Sequence, residues 1–279
     1  MSVTSSSPKI KIGLTGGTGF IGSAFLKQYA DKYDIVLLNL RNDSYISQLK
    51  NLEAVVHCAG LAHQPGNLPK EQYFQVNYEL TKKLANECVS HQVKQFIFLS
   101  TFHVKLTTQT FYSESKIAAE EYLQSLSSKI LISIIRPPMV YGENCKGKFP
   151  ELVQLVRLSP ILPFKFTENL RSIVYIENLT QFIEHIIFHK TTGKFYPQDE
   201  KPVSIYELVL FIAKGLNQKK FIFRPMPLFL KILKACLPNT YERLYGNMFI
   251  DPKTNYELTG FKPLVSTQEA IAKTIRNAR

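Results

Sequence analysis

The sequence has few of the features that mark secreted, metal-bound or membrane-spanning proteins. Its four cysteines are scattered, with no Cys-x-x-Cys pair and no histidine cluster at zinc-ligand spacing. Neither a disulfide framework nor a metal site is therefore expected. No apolar run reaches the roughly 18 residues that a membrane span requires, and the first eight residues are polar, without the apolar segment of a secretory signal. We expect a soluble protein of the cytoplasm.

Acidic residues are scarce relative to basic ones. The 279 residues include 34 lysines and arginines but 22 aspartates and glutamates, which gives a formal net charge of +12 at pH 7. Such an excess favours anionic partners, namely phosphorylated small molecules, nucleic acids or anionic membranes. The cations lie singly or in pairs, without a five-residue basic block. Nucleic-acid binding is therefore not expected, and a solvated basic surface explains most of the lysines.

Short apolar runs alternate with helical patterns along the first half of the chain. The runs at residues 35–40, 54–57, 96–99 and 130–135 are typical of strands buried in a parallel sheet, and the alternation of apolar residues at 9–14 also predicts a strand. This alternation predicts an α/β fold with a doubly wound parallel sheet of the Rossmann type. We expect residues 1–137 to form a dinucleotide-binding domain, to which residues 171–192 return. Residues 138–279 are expected to form a smaller α+β substrate lobe.

A glycine-rich turn joins the first predicted strand to the first predicted helix. Three glycines, each three residues after the last, let the backbone turn tightly and approach a pyrophosphate, which the first amides of the helix then bind. The strand before the turn and the helix after it support this interpretation. A dinucleotide cofactor is expected here, in contact with Gly16, Thr18, Gly19, Phe20, Ile21 and Gly22.

A series of further motifs, in order along nearly the whole chain, resembles the extended short-chain dehydrogenase/reductases. They are His57-Cys58-Ala59-Gly60, Asn77, Ser100-Thr101, Tyr112-x-x-x-Lys116, and residues 136–142, 171–179 and 251–263. The most similar subgroup comprises bacterial UDP-hexose 4-epimerases and UDP-4-keto-6-deoxy-hexosamine reductases. The resemblance implies further cofactor contacts from Cys58, Ala59, Gly60, Asn77, Ser100, Tyr112, Lys116, Pro138 and Val140.

The Tyr-x-x-x-Lys pair is the candidate reactive centre. Tyr112 and Lys116 lie one helical turn apart and share a face. An ammonium near a phenol lowers the pKa of the phenol, so we expect a lowered Tyr112 pKa and proton exchange near neutrality. The resemblance makes Tyr112 the acid/base, Lys116 its tuner and the ribose anchor, and Thr101 the group that positions the substrate oxygen. Phe102 and His103 stand where family dehydratases carry an Asp-Glu pair, which argues against a dehydratase.

The end of the second predicted strand bears on the choice between NAD and NADP. It reads Asn39-Leu40-Arg41-Asn42, whereas an NAD site usually has Asp or Glu there. Arg41, helped by Asn42 and Ser44, is predicted to bind the 2′-phosphate of NADP. The alternative is that Arg41 stacks on the adenine and Asn39 binds the ribose, which permits NAD. Residues 42–53 leave no room for the extra strand and helix that the family usually has before its next strand.

The predicted substrate lobe carries cations that suit a diphosphate. The resemblance implies substrate contacts from His63, His103, Lys146, Lys148, Arg171 and Arg243. The expected function is NADP-dependent reduction at C4 of a nucleotide-linked 4-keto-6-deoxy sugar, in the biosynthesis of surface polysaccharides such as lipopolysaccharide. One alternative is a nucleotide-sugar 4-epimerase with bound NAD. A distant alternative is a non-enzymatic nucleotide-sensing scaffold.

The resemblance also implies a homodimer. Family members pair through two long helices from each subunit, and the matching helical patterns here span residues 73–91 and 112–126. The apolar residues of the first pattern are expected to face the sheet as one stripe. This stripe comprises Tyr73, Val76, Leu80, Leu84 and Cys88.

Overall fold

The computed structural model of the protein describes residues 9–62, 68–105, 110–165, 167, 169–251 and 259–276; of Asn239 and Arg243 it describes the backbone. The chain divides into two compact units. The first comprises Met1–Arg136 and Phe182–Phe195, and the second comprises Pro137–Gln181 and Tyr196–Arg279. None of the helices in the described ranges is long and apolar enough to cross a membrane.

A parallel six-stranded sheet forms the centre of the first unit. Its strands are β1 (Lys11–Thr15), β2 (Asp34–Leu38), β3 (Ala54–His57), β4 (Gln95–Leu99), β5 (Leu131–Ile135) and β10 (Gly193–Phe195). They are arranged in the order β10-β5-β4-β3-β1-β2. Every residue of β3 and β4 is buried. Their continuous apolar runs predicted this burial, because such runs are typical of strands covered on both faces of a sheet.

Helices flank this sheet. They are α1 (Phe20–Tyr29), α2 (Lys70–Phe74), α3 (Leu80–Ser90), α4 (Phe111–Ser125) and, from its residue 182 onward, α6 (Ile176–His189). The π-helical segment Gln75–Glu79 joins α2 to α3. Side chains of β3, β4, β5, α3 and α4 pack into one apolar core, which fixes the strand ends that carry the candidate site.

The strand order confirms the predicted Rossmann-type fold and its shortened form. A full Rossmann sheet has the order 3-2-1-4-5-6, with a strand beyond the second one. Here β2 is the edge strand, and the 3-10 helix Asp43–Leu49 fills the connection to β3. The strand also ends at Leu38, two residues before the predicted end, so Asn39 and Arg41 lie in the turn that follows.

The second unit is a smaller assembly of helices and short strand pairs. Its strands are β6 (Met139–Tyr141), β7 (Ile161–Leu162), β8 (Leu170–Arg171), β9 (Ile173–Tyr175), β11 (Val203–Ser204) and β12 (Phe221–Ile222). They pair as β6 with β9, β7 with β12 and β8 with β11. Its helices are α5 (Lys148–Leu158), the start of α6, α7 (Ile205–Gly215), α8 (Pro227–Cys236), α9 (Pro238–Tyr245) and α10 (Thr267–Arg276).

A buried carboxylate ties the second unit together. Asp199 has no solvent exposure and accepts hydrogen bonds from the Tyr141 hydroxyl at 2.7 Å, the Tyr175 amide at 2.9 Å and the Asn178 amide at 2.8 Å. Burial raises its pKa to about 6, against the opposing effect of these three donors. The donors satisfy the carboxylate where β6, β9 and α6 meet, so this polar group is accommodated in the interior.

Candidate active site

The glycine turn can pack this tightly only because three of its positions have no side chain. Gly16 has a φ of +68°, and a Cβ there would lie 2.7 Å from the amide nitrogen of Ala59. A Cβ on Gly22 would lie 2.2 Å from the Gly16 carbonyl oxygen. Gly19, the N-cap of α1, has no side chain to occupy the amides of the first helical turn. The turn therefore fits the pyrophosphate of a dinucleotide.

A buried histidine holds the loop after β3 against this turn. The Nδ1 of His57 accepts a hydrogen bond from Thr15 Oγ1 at 2.7 Å, and the same Oγ1 accepts one from the Ala59 amide at 3.1 Å. On the other side, His57 Nε2 donates to Thr81 Oγ1 at 2.9 Å, which donates to the Asn77 carbonyl at 2.8 Å. Burial lowers the His57 pKa to about 3. The ring is thus a neutral structural link between β1, β3 and α3.

Asn77 connects the same loop to α4. Its Oδ1 accepts from the Leu61 amide at 2.8 Å, and its Nδ2 donates to the Leu61 carbonyl at 3.0 Å and to Ser115 Oγ at 3.0 Å. The residue is fully buried and lies within the π-helical segment. Such segments often occur at functional sites. Here the segment turns Asn77 toward the helix that carries Tyr112.

Thr101, Tyr112 and Lys116 come together beyond the end of β4. The Tyr112 hydroxyl and the Thr101 side chain are hydrogen-bonded, which lowers the Tyr112 pKa, but burial of the phenol is the larger effect and raises it. The predicted lowering of this pKa is therefore wrong for the structure as described. Lys116 is buried, and its Nζ donates to the Leu99 carbonyl at 2.8 Å. Burial lowers the Lys116 pKa to about 8.

The space beside Lys116 is also bounded by a glycine. A Cβ on Gly60 would lie 2.9 Å from Asn77 Oδ1 and 3.3 Å from Lys116 Nζ. The loop Cys58–Gly60 therefore passes close to Lys116. Cys58 itself is a partly buried thiol, and burial raises its pKa to about 12, so it is not a nucleophile near neutrality.

A buried ion pair behind the site was not found from the sequence. Glu120 and Arg136 are both buried, and Arg136 Nε contacts both carboxylate oxygens, at 3.0 and 3.2 Å. The Ser100 hydroxyl also donates to Glu120. Glu120 lies one turn after Lys116 on α4, and its charge raises the Lys116 pKa, against the effect of burial. The sequence feature that could have predicted this pair is Glu120, which lies eight residues, or about two helical turns, after Tyr112.

The turn after β2 carries the residues considered for cofactor choice. Arg41 is exposed, and its backbone amide donates to Asn39 Oδ1 at 3.1 Å. The Asn42 side chain accepts from the Ser44 amide and so caps the 3-10 helix. The carboxylate of Asp43 pairs with Lys83 at 2.5 Å. The first charged side chain after this strand is thus the cation Arg41, and the first carboxylate, Asp43, is paired with a lysine.

The remaining predicted site residues lie apart from this group in the chain. His103 is in the 3-10 helix Phe102–Lys105. Lys148 is exposed and pairs with Glu151 at 2.8 Å, and Arg171 donates to the carbonyls of Glu242 and Gly246 at the end of α9. Lys146 is exposed, whereas Pro138 and Val140 are half-buried at β6. His63 and the side chain of Arg243 lie outside the described residues.

Known proteins are similar to this chain over most of its length. The model of the NAD dependent epimerase/dehydratase family matches residues 12–196. A UDP-glucose 4-epimerase of Vibrio cholerae is 30% identical, over 94% of this chain and 93% of the relative. A UDP-2-acetamido-2,6-beta-L-arabino-hexul-4-ose reductase of Pseudomonas aeruginosa is 25% identical, over 76% of this chain and 59% of the relative.

Solved structures share the fold. The structure of a UDP-glucuronic acid 4-epimerase from Bacillus cereus, in complex with UDP-glucuronic acid and NAD, superposes with a TM-score of 0.74 at 16% identity, over 96% of this chain and 98% of that one. The extent of the family match, from β1 to the end of β10, includes the glycine turn and the Thr101, Tyr112 and Lys116 group. The chain belongs to the NAD dependent epimerase/dehydratase family, which confirms the resemblance noted in its sequence.

Proposed function

We propose that the protein is a nucleotide-sugar 4-epimerase that works with NAD. The observation that carries the proposal is the grouping of Thr101, Tyr112 and Lys116 in a chain that is 30% identical to a UDP-glucose 4-epimerase over 94% of its length. Solved relatives with NAD bound support the choice of cofactor. A UDP-hexose is the expected substrate class.

Thr101 and Tyr112 have different parts in the acid/base chemistry at C4 of the sugar. Thr101 and Tyr112 are hydrogen-bonded to each other, so their two hydroxyls can hold the oxygen on C4 of the sugar together. Tyr112 takes the proton of the C4 hydroxyl when that carbon is oxidised and returns it to the same oxygen when the carbon is reduced. NAD, when bound, supplies the acceptor and then the donor of the C4 hydride.

Lys116 makes this proton transfer feasible. Burial raises the Tyr112 pKa, which by itself makes the phenol a poor base at pH 7. A positive charge one helical turn away favours the phenolate. Below about pH 8 Lys116 carries that charge, and its bond to the Leu99 carbonyl fixes where the charge lies.

A 4-keto-sugar reductase is the second candidate. It uses the same three residues, and the exposed Arg41 after β2, with no carboxylate before Asp43, suits the 2′-phosphate of NADP. The relative from Pseudomonas aeruginosa carries that activity in its name. The two candidates differ in one property, because an epimerase regenerates its cofactor in each turnover and a reductase consumes it.

Purification without added cofactor separates the two. The protein is denatured, and the released nucleotide is identified by chromatography. We expect NAD in near-stoichiometric amount. Protein that carries no nucleotide, and that oxidises NADPH only when a UDP-4-keto sugar is supplied, would establish the reductase instead. Gly16→Ala, which crowds the pyrophosphate turn, is the control that should release no nucleotide.

A further inference from the structure

Helix α8 exposes an apolar face to solvent. None of its residues is buried. The exposed fractions are 64% for Leu228, 44% for Phe229 and 54% for Ile232, and its neighbours Met226 and Leu237 are 65% and 55% exposed. Leu228 and Ile232 are four residues apart and so lie on one side of the helix. Large apolar side chains grouped in this way usually mark an interaction site.

The chain leading into and through this helix carries charge of one sign, and the next carboxylate is Glu242 on α9. Residues 208–241 contain six cations and no aspartate or glutamate: Lys214, Lys219, Lys220, Arg224, Lys231 and Lys234. Two of these cations lie on α8 itself and are exposed. Lys231 and Lys234 follow Leu228 at steps of three residues, so they border the apolar face along one side. A surface with this composition is complementary to a partner that has an apolar interior and an anionic surface.

A second pair of apolar side chains precedes α8 in the chain. Phe221 on β12 pairs in register with Ile161 on β7, and the two are 67% and 56% exposed. Phe223 stacks against Phe221 with ring centroids 6.5 Å apart. Only four residues separate the end of β12 from the start of α8. Seven exposed large apolar side chains therefore lie between residues 221 and 237.

We propose that α8, with Met226 and Leu237 at its ends, is a docking surface for an anionic lipid bilayer. The helix has ten residues and is about 15 Å long, which is too short to span a membrane but suits a helix that lies in the plane of the interface. Leu228, Phe229 and Ile232 enter the boundary between headgroups and acyl chains. Lys231 and Lys234 keep their ammonium groups at the level of the lipid phosphates.

Vesicle flotation tests this surface directly. The purified protein is mixed with vesicles of phosphatidylcholine alone or of phosphatidylcholine with phosphatidylglycerol, at low and at high salt. We expect flotation with the anionic vesicles and release as salt is raised, because the attraction of lysines to anionic lipid is screened. Vesicles of phosphatidylcholine alone should retain little protein.

Two double variants locate the contact. Leu228→Ser with Ile232→Ser removes the apolar insertion, and Lys231→Gln with Lys234→Gln removes two charges. Each cation near an anionic membrane strengthens binding about fivefold, so the lysine variant should bind about 25-fold more weakly. The serine variant should lose binding by at least about tenfold. The matched controls are Phe188→Ser with Leu264→Ser, which are 63% and 80% exposed, and Lys27→Gln with Lys50→Gln, which are also exposed.

Three results would overturn the proposal. Wild-type protein that fails to float with anionic vesicles at low salt contradicts it, and so does equal binding by the α8 variants and their controls. A wild-type dimer that Leu228→Ser with Ile232→Ser converts to a monomer, without vesicle binding, would make α8 an interface between two copies. The far-UV circular dichroism spectrum and the urea midpoint of each variant verify that it is folded. The vesicle result stands whether or not the proposed epimerase activity is found.

Discussion

The ammonium of Lys116 donates a 2.8 Å hydrogen bond to the carbonyl oxygen of Leu99, the last residue of β4. The same nitrogen lies 4.4 Å from the centre of the Phe98 ring. Lys116 is thereby held against the sheet, one helical turn from Tyr112. Its position is set by the backbone of the strand.

Burial of this ammonium makes the stability of the protein depend on pH. The folded protein releases the proton of Lys116 at about pH 8, whereas an unfolded lysine releases it at about pH 10.4. The unfolded state thus binds more protons between these values. This one group should therefore raise the free energy of unfolding with pH, by up to about 1.4 kcal/mol per pH unit.

Urea denaturation between pH 7 and pH 10.5 measures that slope. We expect the difference in free energy of unfolding between Lys116→Met and the wild type to shift in favour of the wild type across this window. Lys129→Met, at an exposed position, should follow the wild type. If Lys116→Met and Lys129→Met have the same pH dependence, Lys116 is not desolvated as described.

The Tyr112 hydroxyl should be required for turnover but not for folding. Tyr112→Phe keeps the ring contact with Tyr73, whose centroid lies 6.2 Å away, and removes the exchangeable proton. Loss of a general acid/base lowers the rate by about a hundredfold to ten-thousandfold. Steady-state kinetics with a UDP-hexose, together with the retained NAD, are the measurements.

Tyr122→Phe is the matched control on the same helix. Its hydroxyl donates to Asn86 at the surface, at 2.7 Å, so its activity should equal that of the wild type. Full activity in Tyr112→Phe would contradict the assignment. A cellular phenotype that survives Tyr112→Phe unaltered would point instead to a nucleotide-binding scaffold whose function is not catalysis.

Alanine variants at Gly16 and Gly260 distinguish the effect of backbone strain from the effect of steric crowding. Their φ angles are +68° and +66°, but a Cβ on Gly260 meets nothing within 4 Å. Alanine at either position costs about 1–2 kcal/mol for the left-handed backbone. Only Gly16→Ala also displaces the loop Cys58–Gly60 and should lose bound nucleotide. Cofactor content and urea midpoints check this, and equal nucleotide loss in both variants would contradict the described turn.

Arg41→Ala tests the proposed cofactor. With NAD as the natural cofactor, the dissociation constant of NADH should change by less than about fivefold, because an exposed stacking contact contributes about 0.5–1 kcal/mol. A charge-assisted bond to a 2′-phosphate contributes about 1.5–3 kcal/mol, so its loss would weaken NADPH about ten- to a hundredfold. A wild type that binds NADPH more tightly than NADH, and loses this preference in Arg41→Ala, would return NADP to first place.

The sequence predicted those parts of the fold and site that depend on local patterns. The apolar runs of β3 and β4 and the spacing of Gly16, Gly19 and Gly22 each carry their own physical reason. The short connection of residues 42–53 predicted the missing strand beyond β2, because chain length alone excludes it. Those inferences required no knowledge of which elements pack together.

The features that the sequence did not predict depend on tertiary packing, which a regular helical period does not describe. The expected stripe on the first long helix included Val76 and Leu80, but these are half-buried, whereas Asn77 and Thr81 are buried. The π-helical segment Gln75–Glu79 shifts the buried face by one residue, and a 3.6-residue period cannot predict that shift. The raised Tyr112 pKa was missed for a related reason, since burial of the phenol is a tertiary property.

Interconversion of two C4 epimers without added cofactor is the most direct test of the account. The purified protein is incubated separately with UDP-glucose and with UDP-galactose, and the sugars are resolved by chromatography or by NMR. We expect both reactions to reach the same ratio of epimers, and no net NADH to accumulate. Absence of interconversion in protein that carries a full complement of NAD would contradict the proposed function.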